Sequence, residues 1–198
     1  GSAMVVHNEK AFAVSYQHVG LERGSEIIAF NKNDGSIIWK TNLRDIGYND
    51  QNLITSPVIY AGKLFVLSID DNGDSIYVFA FDEEKGDLIW ISNHYIEEVW
   101  FPFSVADSKI VFSTTSDLIA LNTLDGKELW SKPIGYSYAS PTPIIVDGTV
   151  YVGSDNGILQ EFSAKTDSTT SITVSPGKTT VVDARAEADT ILRITGKS

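Results

Sequence analysis

Apolar and polar residues alternate along this chain in short runs. Between residues 63 and 69, Leu64, Val66 and Ser68 fall on one side and Phe65, Leu67 and Ile69 on the other. A period of two is the signature of a β-strand, and a strand apolar on both faces is packed from both sides. The same reading places strands at 5–6, 11–16, 25–30 and 36–40, then at 57–60, 63–69, 75–81 and 87–92. A third set falls at 103–106, 109–113, 117–122 and 127–131, and a fourth at 142–146, 149–153, 159–163 and 168–174. Two more strands are predicted in the tail, at 179–184 and 190–195. No stretch carries the apolar stripe of a helix, and residues 96–100 suffice for one turn only. The pattern predicts an all-β chain built from sets of four strands.

One spelling recurs within these sets. Residues 29–39 read AFNKNDGSIIW, 80–90 read AFDEEKGDLIW and 120–130 read ALNTLDGKELW. Each copy sets an Ala six residues before a Gly and a Trp four residues after it: Ala29, Gly35, Trp39; Ala80, Gly86, Trp90; Ala120, Gly126, Trp130. Two apolar-rich runs around a polar turn closed by Gly predict a hairpin whose turn needs a positive φ. The copies lie 51 and 40 residues apart (29 to 80, 80 to 120), an interval typical of propeller blades. The nine residues are therefore predicted to dock one blade on the next. In the fourth set the same register falls on Glu161, Asp167 and Ser171, so the pattern lapses there.

At these residues the chain resembles the PQQ-like repeat family, whose blades end in A-x-D-x-x-T-G-x-x-x-W. The runs SPVIYAGKLFVLS at 56–68 and TPIIVDGTVYVGS at 142–154 are similar to that family's first two strands. The resemblance covers about residues 3–171. It implies a β-propeller of about four four-stranded blades, at residues 4–171. Residues 172–198 would then add C-terminal strands that close or extend it. The family includes quinone-dependent dehydrogenases and the lipoprotein of the outer-membrane barrel assembly machinery, so it implies no single activity. Those dehydrogenases use larger rings with a vicinal cysteine pair over the cofactor. This chain has no cysteine, so no cofactor is expected.

Composition narrows the classes further. The net charge of -11 and the lack of Lys/Arg clusters argue against a nucleic-acid partner and against docking on anionic lipid. The missing cysteines remove disulfides, thiolate chemistry and cysteine-bound zinc. No apolar run reaches membrane-spanning length. Gly1, Ser2 and Ala3 read as a cloning scar, so Met4 need not be the natural start, and an excised or mature domain is expected.

Candidate chemistry gathers in the longer connections, at 17–24, 41–54, 70–74, 93–102 and 132–140. In a propeller these fall on one face, opposite the tight hairpin turns, and long loops on a rigid scaffold are where binding residues tend to sit. They carry Tyr48, Tyr95, Trp100, Phe101, Tyr136 and Tyr138, with Asp45, Asp50, Glu97 and Glu98 beside them. Such rings either plug the space between blades or stand out to anchor a partner or stack on a sugar. Asp70, Asn72 and Asp74 set oxygens at alternate positions, as calcium loops do, but the Gly and Glu of an EF-hand are missing at their required places. A solvated hairpin turn is the plainer reading. His7, His18 and His94 are scattered, and no nucleophile, metalloprotease or phosphate-loop motif occurs.

The sequence thus predicts a non-catalytic, extracytoplasmic propeller that acts as a protein-interaction scaffold through its long-loop face. The alternatives are a glycan-binding module on the same aromatics, or a fragment of a larger PQQ-like propeller protein.

Overall fold

A computed structural model describes residues 4–19, 22–48, 51–53, 55–70, 73–95, 103–114, 116–134, 142–153, 158–163, 173–174 and 194–196. Among the described residues the strands gather into four sheets; the first and third are plain antiparallel meanders, and the second and fourth each depart from strict sequence order. The first comprises β1 (Met4–His7), β2 (Lys10–Val19), β3 (Glu22–Asn31) and β4 (Ile37–Asn42), in that order. The second holds β5 (Gln51–Leu53), β6 (Val58–Tyr60), β7 (Lys63–Asp70), β8 (Ser75–Asp82) and β9 (Leu88–Tyr95). The third is β10 (Phe103–Ala106), β11 (Lys109–Ser113), β12 (Asp117–Asn122) and β13 (Glu128–Pro133). The fourth has β14 (Ile144–Val146), β15 (Thr149–Gly153), β16 (Ile158–Ser163), β17 (Thr173–Val174) and β18 (Ile194–Gly196).

Three features depart from the sequence reading. The connection expected at 17–24 is largely paired strand, because β2 and β3 run on to Val19 and Glu22, with Gln17 opposite Gly24. Backbone ladders can extend a hairpin where the side chains show no apolar alternation. The connection at 41–54 contains a turn of 3-10 helix, Leu43–Ile46, and then β5, which pairs with β7 at Gln51–Asp70. Asn42 caps the turn by accepting the Arg44 amide, and Gly47 ends it at φ +92. In the fourth sheet the strand beside β16 is β18, from the tail, while β17 lies beyond it in parallel. The strand expected at 168–174 is thereby displaced to the edge, and the one expected at 179–184 lies outside the described residues.

The chain divides into two compact units, residues 1–100 with 121–129, and 101–120 with 130–198. In the first, the facing sides of the first and second sheets close over Phe12, Val14, Ile27, Leu64, Val66 and Phe79, all buried. In the second, Val111, Leu118, Ala120, Val150, Val152 and Phe162 do the same for the third and fourth. Alternation explains both cores, since each strand buries every second residue between neighbouring sheets.

The recurrent turns explain the spelling. Asn31, Asp82 and Asn122 each accept, through the side-chain oxygen, the amide two residues on, at 2.8–2.9 Å. The amides of Gly35, Gly86 and Gly126 donate back to those residues' carbonyls at 2.8–2.9 Å. All three glycines sit at φ between +70 and +76, where a side chain is disfavoured. Ala29 then pairs with Trp39 across β3 and β4, and Ala80 with Trp90 across β8 and β9. A small residue opposite the indole leaves the ring free to leave its own sheet.

Candidate functional site

Two sites can be built from these elements. The first is the set of indole seats. Trp39 lies on Gly86 of the next hairpin so closely that a Cβ there would stand 2.7 Å from Cδ2 of the ring and 2.9 Å from Oγ1 of Thr41. The indole N–H donates to the Glu83 carbonyl at 3.1 Å, and the Thr41 hydroxyl donates to the Gly86 carbonyl at 2.7 Å. Trp90 repeats the arrangement on Gly126, where a Cβ would meet Cε3 at 2.5 Å, and its N–H donates to the Thr123 carbonyl at 3.2 Å. Phe12 and Phe65 support the two indoles from their own sheets, with ring centroids 6.0 and 5.9 Å away. The first seam also carries charge. His7 Nδ1 stands 2.5 Å from the buried Glu83 carboxylate, and Lys10 pairs with Glu84.

Trp130 is different. It stacks on Phe162 at 6.3 Å and 18°, but its N–H is buried with no acceptor among the described residues. The sequence places Asp167 where its glycine seat would be. Of the nine predicted docking residues, the glycine seats of Trp39 and Trp90 are thus filled, and Ala29, Ala80 and Ala120 are fully buried. Gly35 has no described residue within 4 Å of the space its Cβ would take.

The second site is the end of the second sheet, where Gln51 opposes Asp70 and Ser75 opposes Tyr95. Tyr95 is 75% exposed. Tyr48 instead turns inward, its ring edge-on to Phe79 at 5.3 Å and to Tyr77 at 6.1 Å. Trp100, Phe101, Tyr136 and Tyr138 lie outside the described residues. Asp70 closes its turn by accepting the amides of Asp74 at 2.9 Å and Ser75 at 3.2 Å on Oδ1. Asp74 is exposed and Asn72 lies outside the described residues. The described residues include no group of three His, Cys, Asp or Glu placed to hold a metal ion. His94 is half-buried, with Nε2 2.9 Å from the Ser92 hydroxyl and Nδ1 3.9 Å from Glu128. Burial holds its pKa below the usual value, against the opposing pull of Glu128. His18 lies in β2, opposite Arg23.

Sequence reasoning missed the Asx caps and the His7–Glu83 pair. The caps were legible, since an Asn or Asp stands two residues after each repeated Ala; the His7–Glu83 contact joins residues 76 apart and left no local signal.

The model of the family described as outer membrane protein assembly factor BamB matches residues 1–95 and again 73–170. The chain belongs to the BamB family of PQQ-like repeat proteins. Among solved structures, BamB from Moraxella catarrhalis is 20% identical, with a TM-score of 0.54 over 77% of this chain and 46% of that one. A europium-containing methanol dehydrogenase is 14% identical, with a TM-score of 0.58 over 82% of this chain and 39% of that one. The computationally designed Ika4 protein is 13% identical, with a TM-score of 0.54 over 82% of this chain and 91% of its own. No curated protein matches the chain. The fold is accordingly the β-propeller fold of PQQ-like repeats, and an enzyme is among the proteins that share it. This BamB-family chain spans less than half the length of BamB and of the dehydrogenase. Among the described residues no helix is long and apolar enough to cross a membrane.

Proposed function

We propose that this propeller segment is a non-catalytic, extracytoplasmic scaffold that binds a protein partner through the loop end of its sheets. The observation that carries the reading is the match, over residues 1–170, to the family of an outer membrane protein assembly factor. The geometry agrees with it. Tyr95 presents an exposed ring at the end of β9, and Asp74 an exposed carboxylate near it, on a frame fixed by the buried first core. An exposed aromatic on a rigid strand end loses little entropy on binding and buries much area.

A photocrosslinking residue at position 95, in cells of the native host, tests the reading. A discrete protein adduct from position 95, absent when the probe stands at the exposed Leu124 in the turn at the other end of its own sheet, is the expected result. Glycan-array binding that Tyr95→Ala abolishes would replace the protein partner by a sugar. Absence of both the adduct and glycan binding would overturn the proposal, and fractionation of the host to the cytoplasm would overturn its location.

A further inference from the structure

The end of the second sheet carries more than one exposed ring. Side chains alternate faces along a strand, and the face that builds the first core runs out towards this end as Phe79, Tyr77 and Ser75 on β8. Directly opposite them on β9 stand Ile91, Asn93 and Tyr95. On β7 the same face continues from Ser68, opposite Tyr77, to Asp70. Tyr77 and Tyr95 are therefore diagonal neighbours on one face, about 7 Å apart, a separation that one flat group can fill. Tyr48, edge-on to Tyr77 at 6.1 Å, backs the inner ring. Tyr77 is half-buried, Asn93 is exposed and Tyr95 is more exposed still, so the face opens from core to surface within these residues. Asp70 is half-buried at the same end. Its Oδ1 accepts the amides of Asp74 and Ser75, which fixes the carboxylate, and the exposed Asp74 adds a second negative group.

We infer that Tyr77, Tyr95 and Asp70 form a receptor for a single arginine side chain of the protein partner, its guanidinium lying against the two rings and its N–H groups directed at the Asp70 carboxylate. Such a receptor rests on the reading of this end as a partner surface and names the residue that the partner brings. The chemistry of the site selects the occupant. Phenol rings offer a negative π face to a cation, and a guanidinium is flat and weakly hydrated, so it stacks where an ammonium does not. A carboxylate pinned by two backbone amides presents its acceptors in a fixed direction, which suits the fork of N–H donors on arginine. The chain carries a net charge of -11, so its field draws a cation and does nothing for a neutral sugar that would stack on the same rings.

An NMR titration of the whole chain tests this with synthetic probes: short glycine peptide amides whose central residue is arginine, lysine or citrulline. Citrulline keeps the shape and flatness of arginine and lacks its charge. The arginine peptide should shift the ring protons of Tyr77 and Tyr95 and bind about tenfold more tightly than either of the others. Tyr95→Ala should weaken it about tenfold. So should Asp70→Asn, which keeps an oxygen for the two turn amides and removes the charge. Equal binding of the arginine and citrulline peptides overturns the inference. So does a lysine peptide that binds as well, an arginine effect that survives both substitutions, or the absence of any shift in the two rings. The photocrosslink at position 95 reads the partner surface separately. An adduct there with no preference for arginine keeps the partner and removes the arginine, whereas a preference for arginine without an adduct keeps the receptor and removes the protein partner.

Discussion

Replacing Gly86 by Ala probes the indole seat at its narrowest point. Two costs arise. The backbone at φ +76 is disfavoured for any residue with a Cβ, by about 1–2 kcal/mol. The new methyl would also press on Cε3 of Trp39 and stand 2.7 Å from Cδ2 of that ring and 2.9 Å from the Thr41 hydroxyl, so ring or hairpin must move. Overpacking of this kind costs about 1–3 kcal/mol. The two together come to about 2–5 kcal/mol. Gly35→Ala supplies the control, because its φ of +72 is nearly the same while no described residue lies within 4 Å of its Cβ. It carries only the backbone cost, about 1–2 kcal/mol, and any gain from stiffening the unfolded chain is common to both variants. Urea unfolding followed by tryptophan fluorescence measures the difference. Gly86→Ala should be the less stable by about 1–3 kcal/mol, with Gly126→Ala close to it. Equal midpoints for Gly35→Ala and Gly86→Ala would refute the seat as a contact that bears on stability.

Other substitutions separate the parts of the same design. Trp39→Phe keeps a ring but removes the donor to the Glu83 carbonyl, and should cost about 1–2 kcal/mol by denaturation. Trp130→Phe should cost clearly less, because its buried N–H has no acceptor among the described residues. Tyr48→Ala should cost about 2–3 kcal/mol for the lost edge contacts with Phe79 and Tyr77. Tyr95→Ala, at an exposed ring, should fall within about 0.5 kcal/mol of the parent, so that any loss of partner binding there is a surface effect. His94 has a pKa lowered from 6.5 in the folded state, by burial before all else. The folded protein therefore binds this proton less readily than the unfolded chain. Its contribution is intact above pH 6.5 and is lost as the pH falls through the depressed value. His94→Gln should flatten stability against pH in that window, and an unchanged profile would show that His94 does not set it.

Much of this architecture is legible in the sequence because it repeats. Ala29, Gly35 and Trp39 each answer a local demand: a small residue opposite an indole, a positive φ, a ring that reaches the next turn. The demand recurs at 80–90 and 120–130, so chance resemblance is excluded by register. The parts that escaped obey other rules. β5 and the far ends of β2 and β3 are held by backbone pairing, and their side chains show no alternation to mark them. The substitution of β18 for the expected edge strand depends on the path of a tail whose composition reads equally well in several places. Tyr48 and Tyr95 look alike in sequence, and only tertiary placement makes one a core ring and the other a surface ring.

The glycine α-protons give the most direct test of the indole seats. A ring lying on a glycine shifts its α-protons strongly upfield in the NMR spectrum, and the shift vanishes when that ring is removed. Gly86 and Gly126 should both be shifted, each losing the shift with Trp39→Leu or Trp90→Leu respectively, while Gly35 stays at an ordinary position. Three alike and unshifted glycines, or a shift at Gly86 that survives loss of Trp39, would contradict the account.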